Sequence, residues 1–174
     1  EMKNHSSDER DINVTNIFNT NRLGIDDSLE AGNSLTIGFD YKKENRIESN
    51  NFVEFKLAFV LRDSEEENIS KQTSLNKKNS NLFGSIDIGL SENIKLDYKF
   101  AMDDKIEEFK YNSIGLNLSL NNFVTTFNFV EDNASKDNAN YFENTSKYNL
   151  DQSNSIAFKT RRNREISLTE YYDL

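Results

Sequence analysis

From Leu82 to Met102 the chain alternates without a break, and no other feature narrows its folding options so far. Leu82, Gly84, Ile86, Ile88 and Leu90 share one parity. After Ser91-Glu92-Asn93, Ile94, Leu96, Tyr98, Phe100 and Met102 share one again. Between them stand Ser85, Asp87 and Gly89, then Lys95, Asp97, Lys99 and Ala101. Successive side chains of a strand point to opposite faces, whereas a helix scatters the same residues around its circumference. The pattern predicts a strand-turn-strand unit with one apolar face and one wet face.

The same unit recurs along most of the chain. Alternating runs cover 32–44, 51–62, 109–120 and 123–129, with weaker ones at 141–150, 154–162 and 164–174. Asn121-Asn122 predicts a tight hairpin, because Asn tolerates the left-handed backbone that such a turn needs. Residues 63–79 lack periodicity and read as a long solvated loop, and 131–140 as a second polar loop. Residues 1–31 are polar and irregular, with apolar anchors at Ile12, Val14, Ile17, Phe18, Leu23 and Ile25. They read as a loop or irregular strand preceding a sheet region at 32–174. The expected fold class is all-β: an antiparallel up-and-down meander of about nine strands.

Composition bounds the function. Only 35% of residues are hydrophobic, and Asn, Ser, Asp, Glu and Lys supply much of the rest, a mix that alone predicts disorder. The sustained parity argues against disorder. A net charge of -9 counts against nucleic acid, whose phosphates need clustered Lys and Arg. With no cysteine, neither a disulfide framework nor a thiolate metal site exists within these residues. No run of about 18 apolar residues encodes a spanning helix, but a barrel strand needs only alternate apolar residues.

Loop lengths sharpen that point. Links after the first, third, fifth and seventh strands are short. Those after the second, fourth and sixth are longer, and the link at Asn163 breaks the rule. In an up-and-down sheet all the short links then lie at one end, as in outer-membrane barrels. Strands of about 10 to 12 residues suit a tilted membrane strand of about 9 to 11 and exceed the globular mean of about 5 to 6. The sequence therefore predicts a partial transmembrane β-barrel, cut from a larger one because the pattern stops mid-strand. An open sheet leaves two unpaired edges, so the segment is not expected to fold stably alone. The aromatic residues Phe39, Tyr41, Phe55, Phe59, Tyr98, Phe100, Phe127 and Phe129 are expected on the lipid side; the competing reading makes them half of a sandwich core.

A family resemblance adds to this. Ile17 and Phe18, followed by Asn21, Arg22, Leu23, Asp26, Glu30 and Gly32, resemble the pattern Leu-Phe-x-x-Asn-Arg-(Phe/Leu)-x-Gly-x-Asp-Arg-x-Glu-x-Gly of the LptD family of outer-membrane lipopolysaccharide-assembly proteins. The glycine falls at Gly24, with Ile25 after it, and Asp27 replaces the usual basic residue. Leu61-Arg62, the run from Tyr98 to Asp103, and the run from Asn112 to Leu116 resemble later strands of that family. The run from Leu168 to Leu174 resembles the approach to its last, cysteine-bearing strand, which lies outside this chain. The resemblance implies an outer-membrane protein of a Gram-negative bacterium that inserts lipopolysaccharide into the outer leaflet. It implies a lipoprotein plug resembling LptE, periplasmic bridge proteins acting through an N-terminal domain outside this chain, and outer-membrane lipid as partners. Other outer-membrane barrels (a porin or autotransporter) and a soluble β-sheet adhesin or binding module are the alternatives.

Candidate residues follow from both lines. The alternate positions Lys56, Asp87, Lys95, Asp97, Lys99, Asn117 and Ser119 are expected to face a wet lumen. Arg161, Arg162 and Arg164 form the densest basic cluster, and arginine forks suit the phosphates of a lipopolysaccharide head group; the plainer reading is a charged hairpin end. Asp103, Asp104, Glu107 and Glu108 supply oxygens of the kind that hold a hard cation, but their spacing fits a solvated external loop as well. His5, the one histidine, lies in a polar terminus. With no nucleophile-base pair, phosphate-cradling loop or cofactor fingerprint, the chain is expected to be no enzyme and to carry no cofactor or metal.

Overall fold

A computed structural model describes residues 12–23, 30–67, 69–134, 139–151, 153–163 and 167–173. Its strands are β1 (Ser34–Glu44), β2 (Phe52–Arg62), β3 (Leu82–Ser91), β4 (Ile94–Met102), β5 (Phe109–Leu120), β6 (Phe123–Asp132), β7 (Ala139–Asn149), β8 (Ser155–Asn163) and β9 (Ser167–Asp173). They hydrogen-bond in chain order within one sheet, and the ladders from β5 to β9 are antiparallel. Helix among the described residues is limited to one 3-10 turn, Lys71–Thr73. The all-β meander read from the alternation is the observed architecture. Among the described residues β1 and β9 are the edges of the sheet.

The chain divides into two compact units. The first comprises Glu1–Tyr41, Lys56–Ser85 and Phe100–Lys110, and it holds all of the buried apolar core among the described residues except Val130: Ile17, Leu23, Ala58, Val60, Ile69, Leu75, Phe83 and Ala101. Ala58, Val60, Phe83 and Ala101 lie on the parity expected to be wet. They are nonetheless buried, together with residues of two segments outside the strands. Burying side chains of this size contributes about 1.5–3 kcal/mol each for the larger ones.

The first of those segments is 12–23, where side-chain carboxamides close a turn. Asn13 Oδ1 accepts from the amides of Thr15 and Asn16 at 2.9 and 3.2 Å, and Asn16 Oδ1 accepts from the Asn13 amide at 2.8 Å. The Ile17 amide then reaches Asn13 O at 3.1 Å. Phe18 fits where Gly38 has no side chain, since a Cβ there would lie 2.3 Å from the ring. The irregular segment thus packs on the polar face of β1.

The second is 63–81, which is not the solvated loop its composition predicts. Ile69, Thr73, Ser74, Leu75, Ser80 and Asn81 are buried. Ser70 caps the 3-10 turn by accepting from the Gln72 amide, and Ser74 ends it with φ 58°. The chain then runs back along β2: the Arg62 amide donates to Lys78 O, the Ser80 amide to Val60 O, and the Val60 amide to Ser80 Oγ. Two apolar residues in a polar stretch, with serines and threonines to satisfy the backbone, are enough to dock it.

The second unit comprises Lys42–Phe55, Ile86–Lys99 and Tyr111–Leu174. Its tight turns lie side by side, because the Ser119 amide donates to Asn93 O and the Asn149 amide to Asn122 O, both at 2.8 Å. Asn121 takes the left-handed conformation expected of it, φ 48°. The 150–154 link is closed by Asp151, whose carboxylate accepts from the Ser153 and Asn154 amides and from Asn154 Nδ2. These bonds favour the charged form and hold the Asp151 carboxyl below its ordinary value.

Gly38→Val leaves no room for the Phe18 ring. It is expected to cost about 1–3 kcal/mol and to speed amide exchange at Ile17, measured by hydrogen-deuterium exchange; unchanged exchange there would contradict the packing.

Candidate functional site

The apolar face of the second unit is built by register. Ile114, Leu116, Leu118 and Leu120 stand opposite Phe129, Phe127, Thr125 and Phe123, and those four opposite Phe142, Asn144, Ser146 and Tyr148. Phe127 and Phe142 meet at 6.1 Å between ring centroids. Ile114, Leu120, Phe129, Phe142, Tyr148 and Ile156 are exposed although large and apolar. In the first unit Leu35, Ile37, Phe39 and Tyr41 of β1 are exposed as well, Leu35 at 59%. Such contiguous exposure marks a surface meant to be covered.

One polar cluster interrupts this face. Thr125 Oγ1 and Ser146 Oγ are 2.8 Å apart, Asn144 Nδ2 donates to Thr125 Oγ1 at 2.9 Å and to Thr126 O at 3.0 Å, and Ser146 Oγ donates to Asn144 Oδ1 at 3.1 Å. The three side chains satisfy one another, which lets them sit among apolar neighbours at little cost. Nearer the ends of β5 and β6, Asn112 accepts from Tyr98 Oη of mid-β4 at 2.8 Å, and its Nδ2 donates to Glu131 Oε2 at 3.4 Å.

The opposite face carries the residues expected to be wet. Asp97 lies over Gly115, where a Cβ would come within 2.3 Å of its Oδ1. Asp87 and Asp97 are half-buried, Lys95, Lys99 and Asn117 exposed, and Ser119 half-buried. Register continues the face through Asn128, Glu143 and Arg161. Lys159 Nζ lies 3.3 Å from Glu143 Oε2, and Arg161 stacks 4.3 Å above the Tyr141 ring centroid. In the first unit Lys56, half-buried, lies 3.9 Å from Asp40 Oδ2.

Arg161 and Arg162 do not share one site. Arg161 stands opposite Glu143 and Arg162 opposite Phe142, so strand alternation sends them to opposite faces. Arg164 lies outside the described residues, as does His5.

A different basic cluster is assembled in the first unit. Arg22 forks onto both oxygens of Glu30, its Nε donating to Oε1 at 2.9 Å and Nη2 to Oε2. Arg22 also donates to Thr36 Oγ1 at 2.8 Å, Ser34 Oγ at 3.1 Å and Ile17 O at 3.2 Å. Arg62 Nη1 approaches the same Glu30 oxygen at 3.6 Å, and its Nη2 donates to Ala31 O. The side chains of Arg22 and Arg62 are 5% and 2% exposed. Gly32, at φ +76°, turns the chain beside them into β1. Alternation did not bring these residues together. Arg22, Glu30 and Gly32 belong to the family-like pattern, and Arg62 shares the parity of buried Ala58 and Val60.

An open cleft of about 690 Å3 lies between 65–79 and 103–110, lined by lysines and carboxylates in equal number. Lys77 Nζ bridges to Asp104 Oδ1 at 3.5 Å. No acidic group among the described residues gathers three oxygen-bearing side chains as a cation would need. Asp103 instead accepts from the amides of Glu107 and Glu108 at 2.8 and 3.2 Å, and these bonds hold its carboxyl below the ordinary value. Compared with known proteins, the chain matches no family model, no curated protein and no solved structure.

Glu30→Ala leaves two buried guanidinium groups without their shared anion and is expected to cost about 3–5 kcal/mol. Glu44→Ala, which breaks an exposed 2.9 Å pair with Lys42, should cost under about 1 kcal/mol; equal shifts in the unfolding midpoint would refute the contrast. Because the folded Asp103 carboxyl sits below 3.8, its contribution to loop 103–108 is present above that pH. It is lost as pH falls through the folded value, and amide exchange at Glu107 and Glu108 should accelerate only there.

Proposed function

We propose that this chain is part of the wall of an outer-membrane β-barrel, of the lipopolysaccharide-assembly type that its 16–38 segment resembles. The carrying observation is a single meander whose apolar side is exposed while its other side bears charge or packs on its own loops. A soluble module would have to cover Leu35, Phe39, Ile114, Phe129 and Phe142; a bilayer covers them without a second sheet. Strand lengths support the same reading: β3 to β6 have 10, 9, 12 and 10 residues, against about 9–11 for a tilted crossing. Such a wall works without chemistry. Its outer face holds the lipid, and its inner face offers Asp87, Lys95, Asp97, Lys99, Asn117, Glu143 and Arg161 to a polar saccharide. The Arg22–Glu30–Arg62 cluster fixes segment 12–23 against the polar face of β1, which gives the family-like residues a structural role. In this role lipopolysaccharide, a lipoprotein plug and periplasmic bridge proteins are its partners.

Leu116→Arg on the outer face is expected to cost about 2–4 kcal/mol of membrane insertion and to deplete the full-length protein from the outer-membrane fraction. Asn117→Arg, one residue along and facing inward, is expected to be tolerated. Equal tolerance of both would refute the wall. Depletion of the full-length protein should lower surface lipopolysaccharide; unchanged surface lipid would remove the transport role while leaving the wall intact.

A further inference from the structure

We infer that Arg162 is an external anchor for the phosphate of a membrane lipid head group, facing away from the face that carries Arg161. The inference rests on the wall reading and adds where the membrane surface crosses it. Four residues stand in one register row on the apolar side: Ile114, Phe129, Phe142 and Arg162. The first three are large, apolar and 46, 39 and 41% exposed, and Arg162 is exposed beside Phe142.

The next row toward the strand ends is polar. Asn112 stands opposite Glu131, and Tyr98 joins them through its hydroxyl. From β5 to β7, where Asn140 completes the polar row, the apolar band therefore stops between these two rows. An arginine at that boundary lays its aliphatic stem along apolar surface while its guanidinium reaches the polar layer. Head-group phosphates lie in that layer, and the fork of an arginine fits two phosphate oxygens. The aromatic and amide groups of Tyr98, Asn112 and Phe142 are of the kinds found where barrel walls meet the interface. Charge supports the choice of ligand. In a chain of net charge -9, an outward arginine at the band's edge is a point of attraction for an anionic leaflet. Arg161 does not share the role, since it stacks on Tyr141 on the other face.

The test uses the full-length protein in phosphatidylglycerol vesicles. Nitroxide labels are placed through Arg162→Cys, Arg161→Cys and Leu116→Cys, with any cysteine outside these residues replaced by serine, since the segment itself has none. Accessibility to oxygen reports lipid, and accessibility to an aqueous nickel chelate reports water. The expected order is Leu116 deep in lipid, Arg162 at the head-group boundary and Arg161 in water. In parallel, Arg162→Gln should weaken retention of phosphatidylglycerol about fivefold, Arg162→Lys should restore most of it, and Arg161→Gln should leave it unchanged. Lipid contact at Leu116 with water at position 162, or unchanged retention in Arg162→Gln, overturns the anchor while the wall stands. Water at both Leu116 and Arg162 overturns the wall and the anchor with it.

Discussion

Register is the constraint on which the rest depends. In this sheet every ladder from β5 to β9 pairs each strand with the next, and a slip of one residue would turn a whole strand inside out. Ile114, Phe129 and Phe142 line up only because three strands keep step. The same step places Asp97, Asn128, Glu143 and Arg161 on the opposite side. A two-residue turn such as Asn121-Asn122 leaves little freedom for any other alignment.

The two sides of this sheet solve different problems. One exposes apolar residues and makes no core with them. The other builds a core in the first unit, where Ile17, Leu23, Ile69 and Leu75 of segments 12–23 and 63–81 are buried along with Val60 and Phe83. A sheet of this kind is therefore not amphipathic in the ordinary sense, with oil inside and charge outside. Its buried polar groups follow the same economy. Thr125, Asn144 and Ser146 satisfy one another on the apolar side, while Arg22 and Arg62 converge on Glu30 on the other, where the second arginine gains a weaker contact at 3.6 Å. Two cations around one anion leave net positive charge in a dry place, which is stable only while every neighbouring acceptor stays in position.

Strands and tight turns were legible in the sequence because period two is a strong local signal. The β4 and β5 boundaries agree with the alternation to the residue, and Asn121 adopts the backbone that its side chain tolerates. What stayed hidden depends on contacts across long stretches of chain. Nothing local distinguishes Ile69 and Leu75 from stray apolar residues in a polar loop. The docking of 12–23 required a glycine at 38 and a large ring at 18, twenty positions apart. Arg161 and Arg162 part for a simpler reason: adjacency in sequence is opposition in a strand. Arg62 carried a usable signal, an arginine in phase with Ala58 and Val60, although parity alone does not say which face is dry.

The seat of Phe18 over Gly38 bears on the order in which the molecule forms. Arg22 bonds to Ser34 and Thr36 of the same strand and to Glu30 beside Arg62, so segment 12–23 has no surface to settle on until β1 lies alongside β2. Segment 12–23 precedes β1 in the chain yet settles after it. Synthesis runs from one end of the chain, but assembly must begin in its hairpins, where loops are short and closure is cheap.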